Sequence, residues 1–527
     1  MRAAARLAAI ALTAFPLLTQ ASFSGAADAA TLRWGAQRDI GSLDPDSFGD
    51  TFTLAFLNHV YEGLVRYDGQ LKVEPALATS WELIAPAVWR FHLRPGVKFH
   101  DGAAFTADDV VTSLKRATHD TSPLKGNLSA FKDAKAVDPL TVDVELTGPY
   151  PLLLNDLTNI FIFSKPWLVT NRTELPTDVG KNIEGYATGH ANGTGPFIVE
   201  SRQPDQKTTL NVNPNWWDKP KHNVTRIEFS PITSDATRLA GLMSEQIDFT
   251  NAVPLQTVSR LEGVTGLKIL AARELRTVFY ALNFAEKLQD GSPNPLRDLR
   301  VREALDMAVD IEAIRKSIMR GYSRNTGALV DPIIPGYTEA QEPRLPLDID
   351  AAKKRLAAAG HPNGFAVSLV CASDGYVNEE QICQATAAMW AKIGVKVNMT
   401  IGPRAQITQK RVAGAFDITP LGWANEPAID AYSILLQVIH SKTQSAGVFN
   451  WGNWGGKEID DLIDLSANEL DQPKRLALMD KALMLSKQQT LFLPLHQQPM
   501  IWATRDTVTE VVQLPDNKAR HWLTRMK

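Results

Sequence analysis

The sequence has 527 residues, and its 55 Lys and Arg against 58 Asp and Glu give a formal net charge of −3. Hydrophobic residues make up 44% and charged residues 21%, which excludes a disordered chain of low hydrophobicity and high net charge. The near-neutral balance also excludes the strong basic field that nucleic acid requires, so we expect no nucleic-acid partner.

Residues 1–29 have the three parts of a secretory signal peptide. Arg2 and Arg6 give a positive start, an apolar core follows over 7–18, and Ala27-Asp28-Ala29 forms an A-x-A cleavage site. The alternative is an N-terminal membrane anchor, but this apolar core is too short to span a bilayer. We therefore expect cleavage, export to the periplasm and a mature chain that begins at residue 30.

Short strands separated by Gly, Pro, Asn and Asp are predicted through the first half of the chain. One helix lies among them, with Thr106 and Asp109 at its start and Ala117 at its end, because Thr and Asp at this spacing satisfy the first backbone N–H groups. The predicted strands cover residues 32–36, 89–93, 141–146, 195–201, 208–212 and 225–229.

The later part of the chain alternates strands and helices. A strand at 365–371, a helix at 379–393 and a strand at 395–401 form a βαβ unit, which predicts a parallel sheet. Asp350 is the predicted cap of a preceding helix. Further helices are predicted at 299–308, 351–359, 457–469 and 473–487, a further strand at 415–421, and a returning strand within 491–502.

The two cysteines, Cys371 and Cys383, lie in one local segment. In an oxidising periplasm they could form a disulfide that closes a short loop. The alternative is a pair of buried free thiols, since Cys also behaves as a small hydrophobic residue. Sequence alone leaves both open, and we favour the disulfide.

Local catalytic motifs are absent from the sequence. It contains no G-x-S-x-G, no H-E-x-x-H and no C-x-x-C, and its ten histidines are scattered. No His, Cys and carboxylate cluster with metal-ligand spacing stands out. We therefore expect no enzyme activity, no cofactor and no metal site.

Several stretches in order along the chain resemble the family 5 extracellular solute-binding proteins, the dipeptide-, oligopeptide- and nickel-binding components of bacterial ABC importers. The most specific block runs from Trp89 to Gly102 and continues into Phe105-Thr-Ala-Asp-Asp-Val110. Others are Leu32-Arg-Trp-Gly35, Ser42-Leu-Asp-Pro45, Asn58-His-Val-Tyr-Glu-Gly-Leu-Val65, Pro75-Ala-Leu-Ala-Thr-Ser-Trp81, Gly193-Thr-Gly-Pro-Phe197, Asn213-Pro-Asn-Trp-Trp217, Arg300-Val-Arg-Glu-Ala304 and Pro494-Leu-His496.

The resemblance implies a two-lobed α/β clamshell of the large type, with an extra subdomain in the first lobe. Lobe I would hold residues 30–270 plus 490–527, with the inserted subdomain at about 55–170, and lobe II would hold 271–489. The protein would act as a monomer, close around a ligand and present it to an inner-membrane ABC permease.

The resemblance also nominates ligand-binding residues. Glu426 stands where peptide-binding relatives have an Asp that pairs with the amino terminus of the peptide, and Asp430 is the reserve candidate. Arg411 matches an Arg upstream of Phe416-Asp417 and could bind a carboxylate. Trp423 would supply a flat apolar wall. Each has a structural alternative: a solvated carboxylate, a surface Arg at a helix end and a buried core Trp.

Three further candidates come from their positions in the predicted fold. Tyr376 and Asn378 follow the carboxyl end of a predicted parallel strand, where open α/β sheets commonly bind ligands. Arg276, near the start of lobe II, is a weaker candidate for a ligand carboxylate.

The predicted ligand is a small peptide or peptide-like zwitterion. The segment 422–430 lacks the Asp-Pro-Asp arrangement of dipeptide-binding relatives, which weakens a simple dipeptide assignment. An opine, a metal chelate or an oligosaccharide is the alternative within the same transport role, and a secreted hydrolase is the alternative outside it.

Overall fold

The computed structural model describes residues 30–178, 183–219, 221–426 and 428–527. The predicted signal peptide, residues 1–29, lies outside the described residues. No helix within the described ranges is long and apolar enough to cross a membrane.

The strands of the described ranges are β1 Ala30–Ala36, β2 Val65–Tyr67, β3 Val73–Pro75, β4 Ala78–Ala85, β5 Val88–Leu93, β6 Phe131–Asp138, β7 Thr141–Leu146, β8 Phe197–Gln203, β9 Lys207–Val212, β10 Val224–Pro231, β11 Phe249–Thr250, β12 Leu267–Leu282, β13 Arg324–Asn325, β14 Ala366–Ala372, β15 Lys396–Gly402, β16 Ile418–Trp423, β17 Phe492–Arg505, β18 Val508–Glu510 and β19 Arg525–Met526.

The α-helices of the same ranges are α1 Thr51–Leu57, α2 Ala107–Ala117, α3 Leu153–Asp156, α4 Lys165–Thr170, α5 Tyr186–Gly189, α6 Asp235–Met243, α7 Val258–Glu262, α8 Leu299–Met307, α9 Ile311–Ala313, α10 Ile349–Ala358, α11 Glu379–Ala391, α12 Arg404–Val412, α13 Tyr432–Ile434, α14 Lys457–Asn468 and α15 Gln472–Gln488.

A large mixed sheet has the strand order β15-β14-β16-β12-β17-β11-β1-β10-β9-β8. We call the body built on β1 and β8–β11 the first lobe and the body built on β14–β16 the second lobe. In the second lobe β14 pairs in parallel with β15 across α11, so the predicted βαβ unit is present. A separate four-stranded sheet, β4-β5-β7-β6, extends the first lobe.

The long strands β12 and β17 join the two lobes. They pair antiparallel from Leu267 opposite Arg505 to Ala281 opposite Phe492. The later half of β12 also pairs with β16 of the second lobe, while the end of β17 pairs with β11 of the first lobe. The C-terminal apolar segment therefore returns to an earlier sheet, as the sequence predicts.

Each lobe has its own buried core. In the first lobe Trp34, Phe56, Phe229 and Phe249 pack together, and Trp502 from the C-terminal part of the chain joins them. In the second lobe buried residues lie on both faces of β14 and β16, which suits strands of an α/β sheet that is covered on both faces. The exact residue boundaries of the lobes stay a prediction.

Some predicted element boundaries are wrong. The helix predicted from 351 is capped by Asp348, whose carboxylate accepts from the Ala351 N–H at 2.9 Å, and Asp350 lies inside the first turn. The strand predicted at 415–421 is Ile418–Trp423, because its register is set by pairing Thr277 with Trp423 and Leu282 with Ile418.

Candidate functional site

A cavity of about 830 Å³ lies between the first-lobe segment 126–156 and the second-lobe segment 423–464. A cavity of about 440 Å³ lies beside β17, lined by residues of both lobes. We call them the large and the small cleft cavity, and together the cleft. Both volumes lie in the range of small-molecule sites, about 300–1,000 Å³.

Trp423, the last residue of β16, forms an aromatic wall of the large cleft cavity. Its indole N–H donates to Ser433 Oγ at 3.0 Å, and its ring lies edge-on to Phe449 with centroids 5.0 Å apart. These two contacts fix the plane of the indole, so it offers a rigid, partly exposed apolar surface.

Glu426 lies in the turn after β16 and lines the large cleft cavity. Its Oε1 is buried and has no hydrogen-bond partner among the described residues. Burial raises the pKa of its carboxyl to about 7; Lys518 and Arg276 oppose this shift, whereas Asp516 and Glu274 add to it. A cationic ligand group stabilises a carboxylate this poorly solvated more than it would stabilise an exposed carboxylate.

Two cations lie near Glu426. Lys518 is 8% exposed, and its ammonium donates to the amide Oδ1 of Asn159 at 3.1 Å. The Nε of Arg276 is 3.4 Å from Glu274 Oε1, and its Nη1 donates to Gly422 O at 3.4 Å. Neither cation lines the large or the small cleft cavity, and both interact electrostatically with Glu426.

A bulge in the strand pair that joins the lobes positions Arg276 and Glu274. Pairing between β12 and β17 is interrupted between Arg273 and Thr277, so residues 274–276 face the single residue Gln498. Gln498 Nε2 donates to Glu274 Oε2 at 2.7 Å. Because a bulge changes which way successive side chains point, it brings Glu274 to the small cleft cavity.

Tyr376 and Asn378 lie in the loop after β14 and line the small cleft cavity. The Tyr376 hydroxyl donates to Gly422 O at 3.4 Å, and a Cβ on Gly422 would lie 2.6 Å from the Tyr376 ring. Only glycine fits at that close approach. The Asn378 amide instead donates to Ile318 O at 3.0 Å, so its side chain is held by the second lobe.

Cys371 and Cys383 form a disulfide across a sequence separation of 12. It connects β14 to α11, and the loop it closes contributes residues 374–378 to the small cleft cavity. The covalent link restricts the conformations of this loop.

Arg411 and Asp430 are engaged in internal ion pairs and line neither cleft cavity. Arg411 Nη2 donates to Glu379 Oε1 at 2.8 Å and its Nε to Thr419 Oγ1 at 2.9 Å. Asp430 accepts two hydrogen bonds from Arg475, each 2.8 Å long. A ligand group could reach either residue only by displacing a buried partner.

Sequence reasoning missed a pair in the first lobe that lines the large cleft cavity. The Tyr150 hydroxyl donates to Asp156 Oδ2 at 2.7 Å. Burial raises the pKa of Asp156 to about 8; the Tyr150 hydrogen bond opposes this and the nearby Asp430 adds to it. No local motif marks these residues, or Lys518 and Glu274, as site residues.

Within the described ranges no group of three His, Cys, Asp or Glu side chains is arranged to hold a metal ion.

The fold and the cleft define the class of protein, a two-lobed α/β clamshell of the periplasmic-binding-protein type. Residues 72–445 match the family described as bacterial extracellular solute-binding proteins, family 5 Middle, and the chain belongs to this family. The predicted family and fold class are confirmed.

Similar proteins extend over most of the chain. The glutathione-binding protein GsiB of Escherichia coli (strain K12) is 25% identical over 484 residues, 90% of each chain. HbpA2 from Haemophilus parasuis superposes with a TM-score of 0.80 at 24% identity, over 94% of this chain and 100% of the other. MoaA of A. tumefaciens R10, solved in complex with mannopinic acid, is 26% identical with a TM-score of 0.72, over 95% and 100%.

Proposed function

We propose that the chain captures a small peptide or peptide-like zwitterion in the cleft, in the periplasm, and delivers it to an inner-membrane ABC importer. The observation that carries this proposal is Glu426, which lines the large cleft cavity and whose buried Oε1 has no partner among the described residues. An ammonium group of the ligand would satisfy this oxygen. Family membership and the relative GsiB, a glutathione-binding protein, support the same class of ligand.

The ligand carboxylate would bind towards Lys518 and Arg276, which closure of the lobes would have to bring to the ligand. Lys518 and Arg276 both interact electrostatically with Glu426, so the two ends of a short zwitterion would meet opposite charges. Trp423 would cover the body of the ligand. In this proposal Tyr376 and Asn378 shape the small cleft cavity. The buried ion pairs of Arg411 and Asp430 would stabilise the second lobe and would not contact the ligand.

Capture would occur by closure of the lobes without chemical turnover. Lobe I, residues 30–270 plus 490–527, and lobe II, residues 271–489, would rotate about β12 and β17, and a ligand that contacts both lobes would stabilise the closed state. Residues 1–29 would direct export and be removed, and the mature protein would act as a monomer. The closed form would be the one that the permease binds.

Isothermal titration calorimetry with Ala-Ala-Ala and its N-acetylated form tests the proposal. We expect the free tripeptide to bind and acetylation to weaken binding more than tenfold, because a charge-assisted contact is lost. Glu426→Gln should weaken the free tripeptide similarly and leave the acetylated form unchanged. Glu458→Gln, an exposed residue on α14, is the matched control. Equal affinity of Glu426→Gln and wild type for the free tripeptide would reject the ammonium role of Glu426.

An opine is the second candidate ligand, and the relative MoaA, solved with mannopinic acid, favours it. Its sugar-like chain would lie against Trp423 and accept hydrogen bonds from polar groups of the large cleft cavity. Native and then denaturing mass spectrometry of the exported protein separates the two. A mixture of peptide masses supports the first candidate, whereas saturable binding of mannopinic acid without binding of the tripeptide supports the second.

A further inference from the structure

The second lobe contains a separate cavity of about 350 Å³ that shares no lining residue with the cleft. It lies between α8, the segment 327–345 and the C-terminal end of α15. Pro343 and Gln488, which line it, are exposed, so the cavity is accessible from solvent. We call it the lateral cavity.

Arg344 forms the polar end of the lateral cavity. Its side chain is 11% exposed, and its Nη2 pairs with the Asp306 carboxylate. The Nε and Nη1 groups are buried and have no hydrogen-bond partner among the described residues. A buried donor without a partner is destabilising, so a ligand acceptor that reaches these groups would remove this penalty.

Two other donors line the cavity, and one lining acceptor, Gln341 Oε1, also has no partner among the described residues. Lys487 donates to the neutral carbonyl of Gly327 at 3.0 Å, and Ser486, 1% exposed, has an Oγ without a partner in the described part of the chain. The carboxylate of Glu303, which also lines the cavity, is already bound by Arg355 at 3.0 Å. Cationic and hydroxyl donors therefore remain for a ligand.

The rest of the lining is apolar, with Leu329, Leu345, Leu483 and Phe492. We propose that the lateral cavity is a second ligand site, which binds a small monocarboxylate with an apolar tail. The carboxylate accepts hydrogen bonds from Arg344 and the charge of Lys487 adds to its binding, while the tail packs against the leucines and Phe492. This site is independent of the solute that the cleft takes.

Octanoate is the probe for the lateral cavity, and two methionines report where it binds. Met484 lines the lateral cavity and Met500 lines the small cleft cavity. In protein labelled with ¹³C at the Met methyl groups, octanoate should shift the Met484 signal saturably and leave the Met500 signal unchanged. The Met484 signal is assigned with Met484→Leu. 1-Octanol, which has the same tail without the charge, should bind more than tenfold more weakly.

Variants test the polar end. Arg344→Lys keeps a cation beside Asp306 but removes the guanidinium donors, and it should weaken octanoate more than tenfold. Arg90→Lys, whose guanidinium pairs with Asp143 in the four-stranded sheet of the first lobe, is the matched control and should bind as wild type does. If Arg344→Lys does not fold, Lys487→Met replaces it, because it removes a charge and keeps a similar stem. Lys487→Met should weaken octanoate binding more than tenfold and leave 1-octanol binding unchanged.

Three results would overturn the proposal. One is the absence of a saturable Met484 shift with octanoate, and the second is equal affinity for octanoate and 1-octanol. The third is a shift of Met500 in place of Met484, which would place the probe in the cleft. Any of these would leave the cleft proposal standing, since its test uses a different cavity and different ligands.

Discussion

The ionisation of Glu426 should set the affinity of the cleft for a ligand with a free amino group. Burial raises its pKa to about 7, so the charged form is lost as the pH falls through 7. By this pKa about half of the carboxyl is ionised at pH 7 and about one tenth at pH 6. The association constant of Ala-Ala-Ala should therefore fall about fivefold from pH 7 to pH 6, and about tenfold more by pH 5.

The pH dependence that Glu426 causes has to be distinguished from that of the other titratable groups around it. Lys518, Arg276, Asp516 and Glu274 interact with its carboxyl. The peptide amino group, with a pKa of about 8, stays protonated below pH 7. Asp156, whose pKa is raised to about 8, lines the same cavity and is the main competitor for the effect.

Calorimetry at pH 5, 6 and 7 measures this dependence. In buffers of low and high ionisation enthalpy, binding at pH 7 should release about half a proton for each tripeptide bound, because the ammonium returns the Glu426 carboxyl to its charged form. Glu426→Gln should abolish the pH slope and the proton release, and Asp156→Asn should retain both. A flat wild-type profile, or a slope that persists in Glu426→Gln, would refute the assignment.

Two further predictions concern stability. His496 is 1% exposed, and burial lowers its pKa to about 4. Above pH 6.5 its imidazole is neutral in both the folded and the unfolded chain. As the pH falls from 6.5 towards 4 only the unfolded chain takes up the proton, so the folded state loses stability. Between pH 7 and pH 5 the free energy of unfolding of His496→Gln, measured in urea, should therefore fall by about 2 kcal/mol less than that of wild type. Equal falls would contradict this. Replacing both Cys371 and Cys383 with Ala should lower the free energy of unfolding by about 3 kcal/mol and weaken tripeptide binding, since the disulfide closes a loop that lines the small cleft cavity. An unchanged urea midpoint would contradict the first effect, and unchanged affinity in calorimetry the second.

Elements defined by local patterns were predictable from the sequence. β7 covers residues 141–146 and α2 ends at Ala117, both as predicted. For α2 the reason is local, since Asp109 accepts from the Thr106 N–H at 2.7 Å at the start of the helix. Where two local signals compete, the pattern is insufficient. Asp348 and Asp350 are equally good caps by type, and only the backbone geometry selects Asp348.

The family motifs also determined more than local structure, since they gave the two-lobed fold before any contact was known. They indicated the position of Glu426 but not its environment. Its raised pKa depends on burial and on Lys518 and Asp516, which lie about ninety residues further along the chain. Charge and solvation at one residue are sums over neighbours in space, and the sequence does not list those neighbours.

The tertiary structure alone decided which candidate side chains face the cleft. Arg411 and Glu426 are both charged residues near β16, and the sequence nominates both as ligand contacts. The packing of α11 brings Glu379 to Arg411 and makes it an internal partner, whereas no described side chain reaches Glu426 Oε1. A buried charge is stable only when it is paired, so the long-range contacts decide which charges are satisfied within the protein and which remain for a ligand.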